Sequence, residues 1–228
     1  SSVSESLRIM VVGEQWFGAT PRGVADGLRA AGHEVETVDA DTSVPKATGL
    51  PLKMMRKVLQ PVFVADYNRR LVAAARHFRP DFVLVVKGPF VHRDSIRAWR
   101  EGGAAVYNYY PDVSVFAFGR HIPQALPEYD HVFTTKSFQL QALRDRLGAD
   151  RATFLPHGYS AEVHRPLRLS SRERRDLSTE VGYIGNYSPH KEQFLAGLRE
   201  RLPDVTFTVR GNHWESLCQS PQLRPCLR

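Results

Sequence analysis

The sequence predicts an α/β protein built on a doubly wound, Rossmann-like parallel sheet, followed by a second, partial domain of the same kind. Three observations carry that expectation. Short apolar runs alternate with amphipathic stretches at least five times before residue 166. The runs are apolar throughout rather than alternating, as strands covered by helices on both faces must be. The alternation then lapses over 167–178 and starts again near Val181.

The elements follow in order. Leu7-Arg-Ile-Met-Val-Val12 ends in Gly13 and reads as a buried strand. After the loop Glu14–Thr20, Pro21 opens a helix, where its missing N–H costs nothing. Val24, Leu28 and Ala31 give the helical spacing and Gly32 stops it. Glu34–Val38 is the second strand, completing a β-α-β unit. Residues 52–63 carry an apolar stripe (Leu52, Met55, Leu59) beside Lys53, Arg56 and Lys57, and Pro61 is expected to interrupt it. A further helix presents Tyr67, Leu71, Ala74 and Phe78 on one face, then Phe82-Val-Leu-Val-Val86 is a buried strand. Asp94 is expected to cap a helix running through Trp99 and closed by Gly102-Gly103. Strands are expected over Ala104–Tyr110, Asp130–Thr135 and Ala152–Leu155, with a helix at Leu140, Leu143 and Leu147.

The first domain therefore covers 1–166, with 167–178 as a linker in which Arg172-Glu-Arg-Arg-Asp176 is solvated. The second covers 179–228: a strand at Val181–Ile184, a helix from about Pro189 to Arg201, and a strand at Val205–Val209. After Gly211 the periodicity ends. One β-α-β unit leaves a sheet edge unpaired, so this domain reads as cut short, with an edge available for self-association.

The 228 residues are 42% apolar and 24% charged, an ordinary globular composition. The net charge of +7 and pI of about 9.6 suit an anionic partner. No apolar run approaches the length of a membrane span. The polar start, Ser1–Ser6, has no signal-peptide pattern. The expected location is cytoplasmic; the basic stripe at 53–57 reads first as the solvated face of a helix packed on the sheet, with peripheral contact to an anionic membrane as the alternative. No platform of aromatic and basic residues for nucleic acid is present. Cys218 and Cys226 have no metal spacing and read as free thiols in a tail.

Walker, nucleophile-elbow, zincin and Cys-x-x-Cys signatures are all absent. The first turn, Gly13-Glu-Gln-Trp-Phe-Gly18, is not a dinucleotide fingerprint. Asp39-Ala-Asp41 could hold a divalent metal, though a polar strand end is the plainer reading. Ligands of open α/β sheets bind at the carboxyl ends of the strands. Asp112 sits there, after Tyr109-Tyr-Pro111, where a carboxylate can act as general base on an acceptor hydroxyl or simply cap the loop. His92 is a rival for the same role, against a plain surface histidine. Gly185-Asn186 lies between a strand and a helix, where the backbone can approach a phosphate and free N–H groups face it. Lys191 in the first helical turn can pair with that phosphate.

Several segments together resemble the CgeB-like (spore maturation protein) glycosyltransferases, which have the two-Rossmann GT-B architecture. They are Tyr109-Tyr-Pro-Asp112, Glu128-Tyr-Asp-His-Val-Phe-Thr-Thr135, Leu155-Pro-His-Gly-Tyr-Ser-Ala-Glu-Val-His-Arg-Pro166 and Val181-Gly-Tyr-Ile-Gly-Asn186. The resemblance spans about Tyr107 to Arg210. It implies transfer of a sugar from a nucleotide-sugar donor to an acceptor, with no cofactor and no obligatory metal. It implies an acceptor-side first domain and a donor-side second domain. His157 and Gly158 would then line the cleft at the crossing, and Gly185, Asn186 and Lys191 would hold the diphosphate. Two other readings stand beside it: a non-catalytic binding module, and a nucleotide-sugar epimerase of the same shape.

Overall fold

The computed structural model describes residues 5–40, 50–116 and 121–228, with side chains of the long second helix described from Val58 onward. The chain divides into two compact units, one up to Arg165 and one from Pro166.

The first unit is a six-stranded parallel sheet in the order β2-β1-β3-β4-β5-β6. Its strands are β1 (Arg8–Val12), β2 (Glu34–Val38), β3 (Phe82–Val86), β4 (Ala105–Tyr110), β5 (His131–Thr134) and β6 (Ala152–Phe154). Its helices are α1 (Thr20–Ala30), α2 (Leu50–Phe78), α3 (Arg93–Glu101), α4 (His121–Ala125) and α5 (Leu140–Leu147). Successive strand residues point to opposite faces, and both faces are buried. Met10, Val12, Val83, Val85 and Val106 pack with Tyr67, Leu71 and Trp99 on one side. Ile9, Val11, Val86 and Tyr109 pack with Ala25 on the other. The order reverses between β1 and β3, whose registers are Ile9 opposite Phe82 and Val12 opposite Val85. The carboxyl ends of these central strands form the rim on which a ligand site of this fold is built.

Three local expectations are corrected. Helix α2 runs unbroken through Pro61. Proline removes one N–H from the helical ladder, and a helix of 29 residues anchored by buried Val64, Tyr67, Leu71 and Phe78 absorbs that single loss. Asp94 is not the cap of α3. His92 occupies the N-cap position and Asp94 lies in the first turn, where a carboxylate still favours the positive end of the helix. The segment at 167–178 is solvated as expected but is not irregular throughout. It holds the exposed helix α6 (Ser171–Leu177), whose Ser170 and Glu173 cap each other's backbone N–H groups. The side chains Lys53, Arg56 and Lys57, and Asp41 of the acidic pair, lie outside the described residues. Among the described residues no helix is long and apolar enough to cross a membrane.

The second unit contains β7 (Val181–Ile184) and β8 (Phe207–Arg210), paired in parallel, with α7 (Pro189–Arg201) between them. Residues beyond Gly211 do not trail away. They form α8 (Trp214–Leu217) and a turn that close the core: Trp214, Cys218, Leu223 and Cys226 pack on Leu195, Phe207 and Val209. The two cysteines are thus buried free thiols. Leu227 bridges Val209, and the Arg228 N–H donates to the Val209 carbonyl at 3.0 Å, so part of the β8 edge is covered. The tail carries no helical period because it wraps the sheet rather than coiling.

Candidate functional site

The rim of the first unit is organised by Lys87, the residue directly after β3. The Gly88 N–H donates to the Val86 carbonyl at 2.8 Å across a φ of +64° at Lys87. That is a γ-turn of the rare hand, strained for any residue with a Cβ. The turn is held from outside. The Lys87 N–H donates to the Tyr109 carbonyl at 2.9 Å, and Asn108 Nδ2 donates to the Lys87 carbonyl at 3.3 Å. So placed, Lys87 Nζ lies 2.6 Å from Asp112 Oδ2, with about a quarter of the lysine side chain and a third of the aspartate exposed.

Asp112 stands on an equally fixed loop. Gln139 Nε2 donates to its carbonyl at 2.8 Å, and Thr135 Oγ1 donates to the Pro111 carbonyl at 2.9 Å. Tyr110 Oη donates to the Ser114 carbonyl at 2.6 Å. Burial, reinforced by the Asp112 charge, pushes the Tyr110 phenol up to about 12. The crevice between the β1 and β3 ends is nearly closed, a cavity of about 20 Å³ bordered by Gly13, Glu14, Tyr67 and Lys87.

His92 belongs to a different neighbourhood. Its N–H donates to Asn68 Oδ1 at 2.8 Å, and its ring stacks on His121 at 4.9 Å. It faces the groove between α2 and α3, alongside Arg76, His77 and Ser95. Asp112 and His92 therefore do not share a site in the described contacts.

His157 and Gly158 border a pocket of about 250 Å³ inside the first unit, opposite the opening turns of α1. Tyr109 ties the pocket to the rim. Its hydroxyl donates to the Pro156 carbonyl at 3.4 Å and its ring meets His157 edge-on at 6.4 Å.

In the second unit Gly185 and Asn186 lie in the loop after β7, and Lys191 lies in the first turn of α7. Trp214 Nε1 donates to the Gly185 carbonyl at 2.7 Å, and the Gly185 N–H donates to Arg210 at 2.9 Å. Lys191 Nζ donates to the Asn186 carbonyl at 3.0 Å, so the ammonium is folded onto the loop. Ser188 caps α7 by accepting from the Lys191 N–H, and Pro189 fills the first helical position. Glu192 accepts from Tyr187 Oη at 2.8 Å and from the N–H groups of Gln219 and Ser220 at 2.7 and 2.6 Å.

Lys87 is the candidate site residue that sequence reasoning passed over. Its signal was a charged residue between a fully apolar strand and a Gly-Pro turn, Phe82-Val-Leu-Val-Val-Lys-Gly-Pro89. Nothing in the spacing announced its pairing with Asp112, which depends on β3 and β4 being neighbours.

Neither a family model nor a curated protein matches the chain. Solved structures do, at low identity. The structure of S. aureus MnaA with UDP superposes with a TM-score of 0.59 at 10% identity, over 90% of this chain and 61% of that one. An enzyme of Listeria monocytogenes assigned as a UDP-N-acetylglucosamine 2-epimerase gives 0.57 at 11%, over 90% of this chain and 62% of that one. The glycotransferase of kitacinnamycin gives 0.52 at 14%, over 98% of this chain and 70% of that one. The fold is of the GT-B, Rossmann-like type. The chain spans about three-fifths of the length of the first two of these proteins.

Proposed function

We propose that the chain carries the acceptor side and part of the donor side of a nucleotide-sugar glycosyltransferase, of the CgeB-like kind that its motifs resemble. The observation that carries the reading is the Lys87–Asp112 pair at the strand-end rim, 2.6 Å apart and fixed from both backbones. In an inverting transfer the Asp112 carboxylate takes the proton of the acceptor hydroxyl as that oxygen attacks the anomeric carbon, and the nucleoside diphosphate leaves. Lys87 holds Oδ2, which leaves Oδ1 to face the acceptor. In a retaining transfer Asp112 orients the acceptor instead. The residues up to Arg165 form the acceptor side in this reading. Gly185, Asn186 and the start of α7 receive the diphosphate of the donor, with Lys191 exchanging the Asn186 carbonyl for a phosphate oxygen. No cofactor is required. His92, which lines the groove between α2 and α3, is given no part in it.

The test is thermal melting of the chain under titration with nucleoside diphosphates. Binding raises the melting temperature, and Lys191→Ala should shrink the rise. No shift at millimolar nucleotide, with the fold intact, would leave the binding-module reading in its place. The likeness to the protein assigned as a UDP-N-acetylglucosamine 2-epimerase supports a second reading, nucleotide-sugar epimerisation. Conversion of a bound nucleotide sugar with no acceptor added would decide for it.

A further inference from the structure

The pocket beside His157 and Gly158 has a character that the Asp112 rim does not explain. Three of its lining residues are glycines. The φ of +88° at Gly18 accounts for that one, but neither backbone nor packing demands the other two, Gly23 and Gly158. A Cβ on Gly158 would meet nothing within 4 Å, one on Gly23 only Ser160 Cβ at 3.7 Å, and one on Gly18 only the Trp16 ring at 3.6 Å. Gly23 lies inside α1, where glycine costs about 1 kcal/mol relative to alanine. At Gly23 and Gly158 the bare backbone therefore serves the open space rather than a close contact.

The other walls are aromatic. Phe17 is 63% exposed and Tyr159 77%, with Trp16 beside them at 56%. Exposed aromatic residues gathered at one pocket mark a binding surface. Tyr109, buried and edge-on to His157, closes the back. Rings and glycine faces thus make up part of the boundary, with Ala19, Val24 and Val163 among the remaining lining residues. An engineered apolar cavity of roughly 150 Å³ holds benzene, so about 250 Å³ suits a fused bicyclic ring.

The polar groups do not select an anion. Arg22 lines the pocket, but so do Asp26, 3.9 Å from its guanidinium, and Glu162. What remains is a hydrogen-bonding end. His164 Nδ1 accepts from the Ser160 N–H at 3.0 Å, which leaves Nε2 as the donor of the neutral ring.

We propose that this pocket receives a planar aromatic alcohol, held face-on by the glycines and Tyr159, with its oxygen toward the His157 and His164 end. The inference rests on the transferase reading insofar as it names the acceptor class, while the binding itself stands without it.

The experiment is calorimetric titration of the intact chain with 2-naphthol, against trans-2-decalol as a puckered alcohol of the same ring size. 2-Naphthol should bind at least about tenfold tighter than the decalol. Gly23→Phe should fill the pocket and weaken 2-naphthol by about tenfold or more with the melting temperature preserved. Tyr159→Ala, a change at an exposed side chain, should weaken it several-fold and carries the test if the first variant folds poorly. Equal affinity for the two alcohols, or undiminished 2-naphthol binding in both variants, overturns the proposal. The titration contains no nucleotide, so its outcome and that of the nucleotide melting experiment are read separately.

Discussion

Lys87 Nζ and Asp112 Oδ2 lie 2.6 Å apart although 25 positions separate them in sequence, because β3 and β4 are adjacent and Lys87 occupies a left-handed turn. The pair is partly exposed, so its contribution to stability is small. Its predicted value is positional. Lys87→Met should leave the melting temperature within a few degrees of wild type while lowering the transfer rate about 10- to 100-fold, with KM for the donor unchanged. Lys87→Arg should recover part of the loss. Steady-state kinetics of the three proteins checks this, and an unchanged kcat in Lys87→Met would remove Lys87 from the site.

Gly211 is predicted to be the least replaceable glycine of the second unit. A Cβ there would stand 2.2 Å from the Gly185 carbonyl oxygen, and its φ is +138°. Backbone cannot yield as a flexible side chain can. Gly211→Ala should cost at least about 2 kcal/mol in urea unfolding of this unit. It should also weaken nucleotide-induced stabilisation, since Gly185 belongs to the proposed phosphate loop.

Glu192 makes the second unit acid-sensitive. Burial opposes its charge, yet hydrogen bonds from Tyr187, Ser220, Gln219 and Cys218 outweigh this and hold its carboxyl below the usual value of 4.5. The folded state thus binds the proton less well than the unfolded chain does. The stabilisation is complete above pH 4.5 and is lost as the pH falls below it. Melting curves of Glu192→Gln should show a lower plateau by about 1–3 kcal/mol and a flatter acid limb. Matching acid limbs in the two proteins would contradict the assignment.

The two cysteines should resist modification. Cys218 is 1% exposed, and burial together with its hydrogen bond to Glu192 raises its thiol pKa. Thiolate is the reactive form, so a disulfide reagent at neutral pH should label both residues slowly in the native chain and quickly in urea. Rapid native labelling of Cys218 would show that the tail does not close the core.

Most strands and long helices of the first unit were legible because each carries its own signal. Phe82–Val86 is apolar at every position, and Pro21 and Gly32 bracket α1. The missed elements fall into two kinds. Helix α6 had a readable signal in Ser170-Ser-Arg-Glu173, overlooked because its surroundings are all charged. The closing tail had none. Trp214, Cys218, Leu223 and Cys226 reach one core from an irregular path, and irregular chain has no period to detect. Asp112 was legible as a strand-end carboxylate. Its lysine was not, since pairing between neighbouring parallel strands is written in sheet order rather than in spacing. His92, the rival to Asp112, lies instead along the groove between α2 and α3, because residues that each follow a strand or precede a helix need not face the same side.

The γ-turn at Lys87 also sets two selective pressures against each other. Glycine would occupy that φ without strain, so a screen for thermostability alone should favour Lys87→Gly. The same substitution would delete the ammonium beside Asp112. Variants recovered for heat resistance and variants recovered for turnover should therefore diverge at this position, and a chain improved in one respect there will have been worsened in the other.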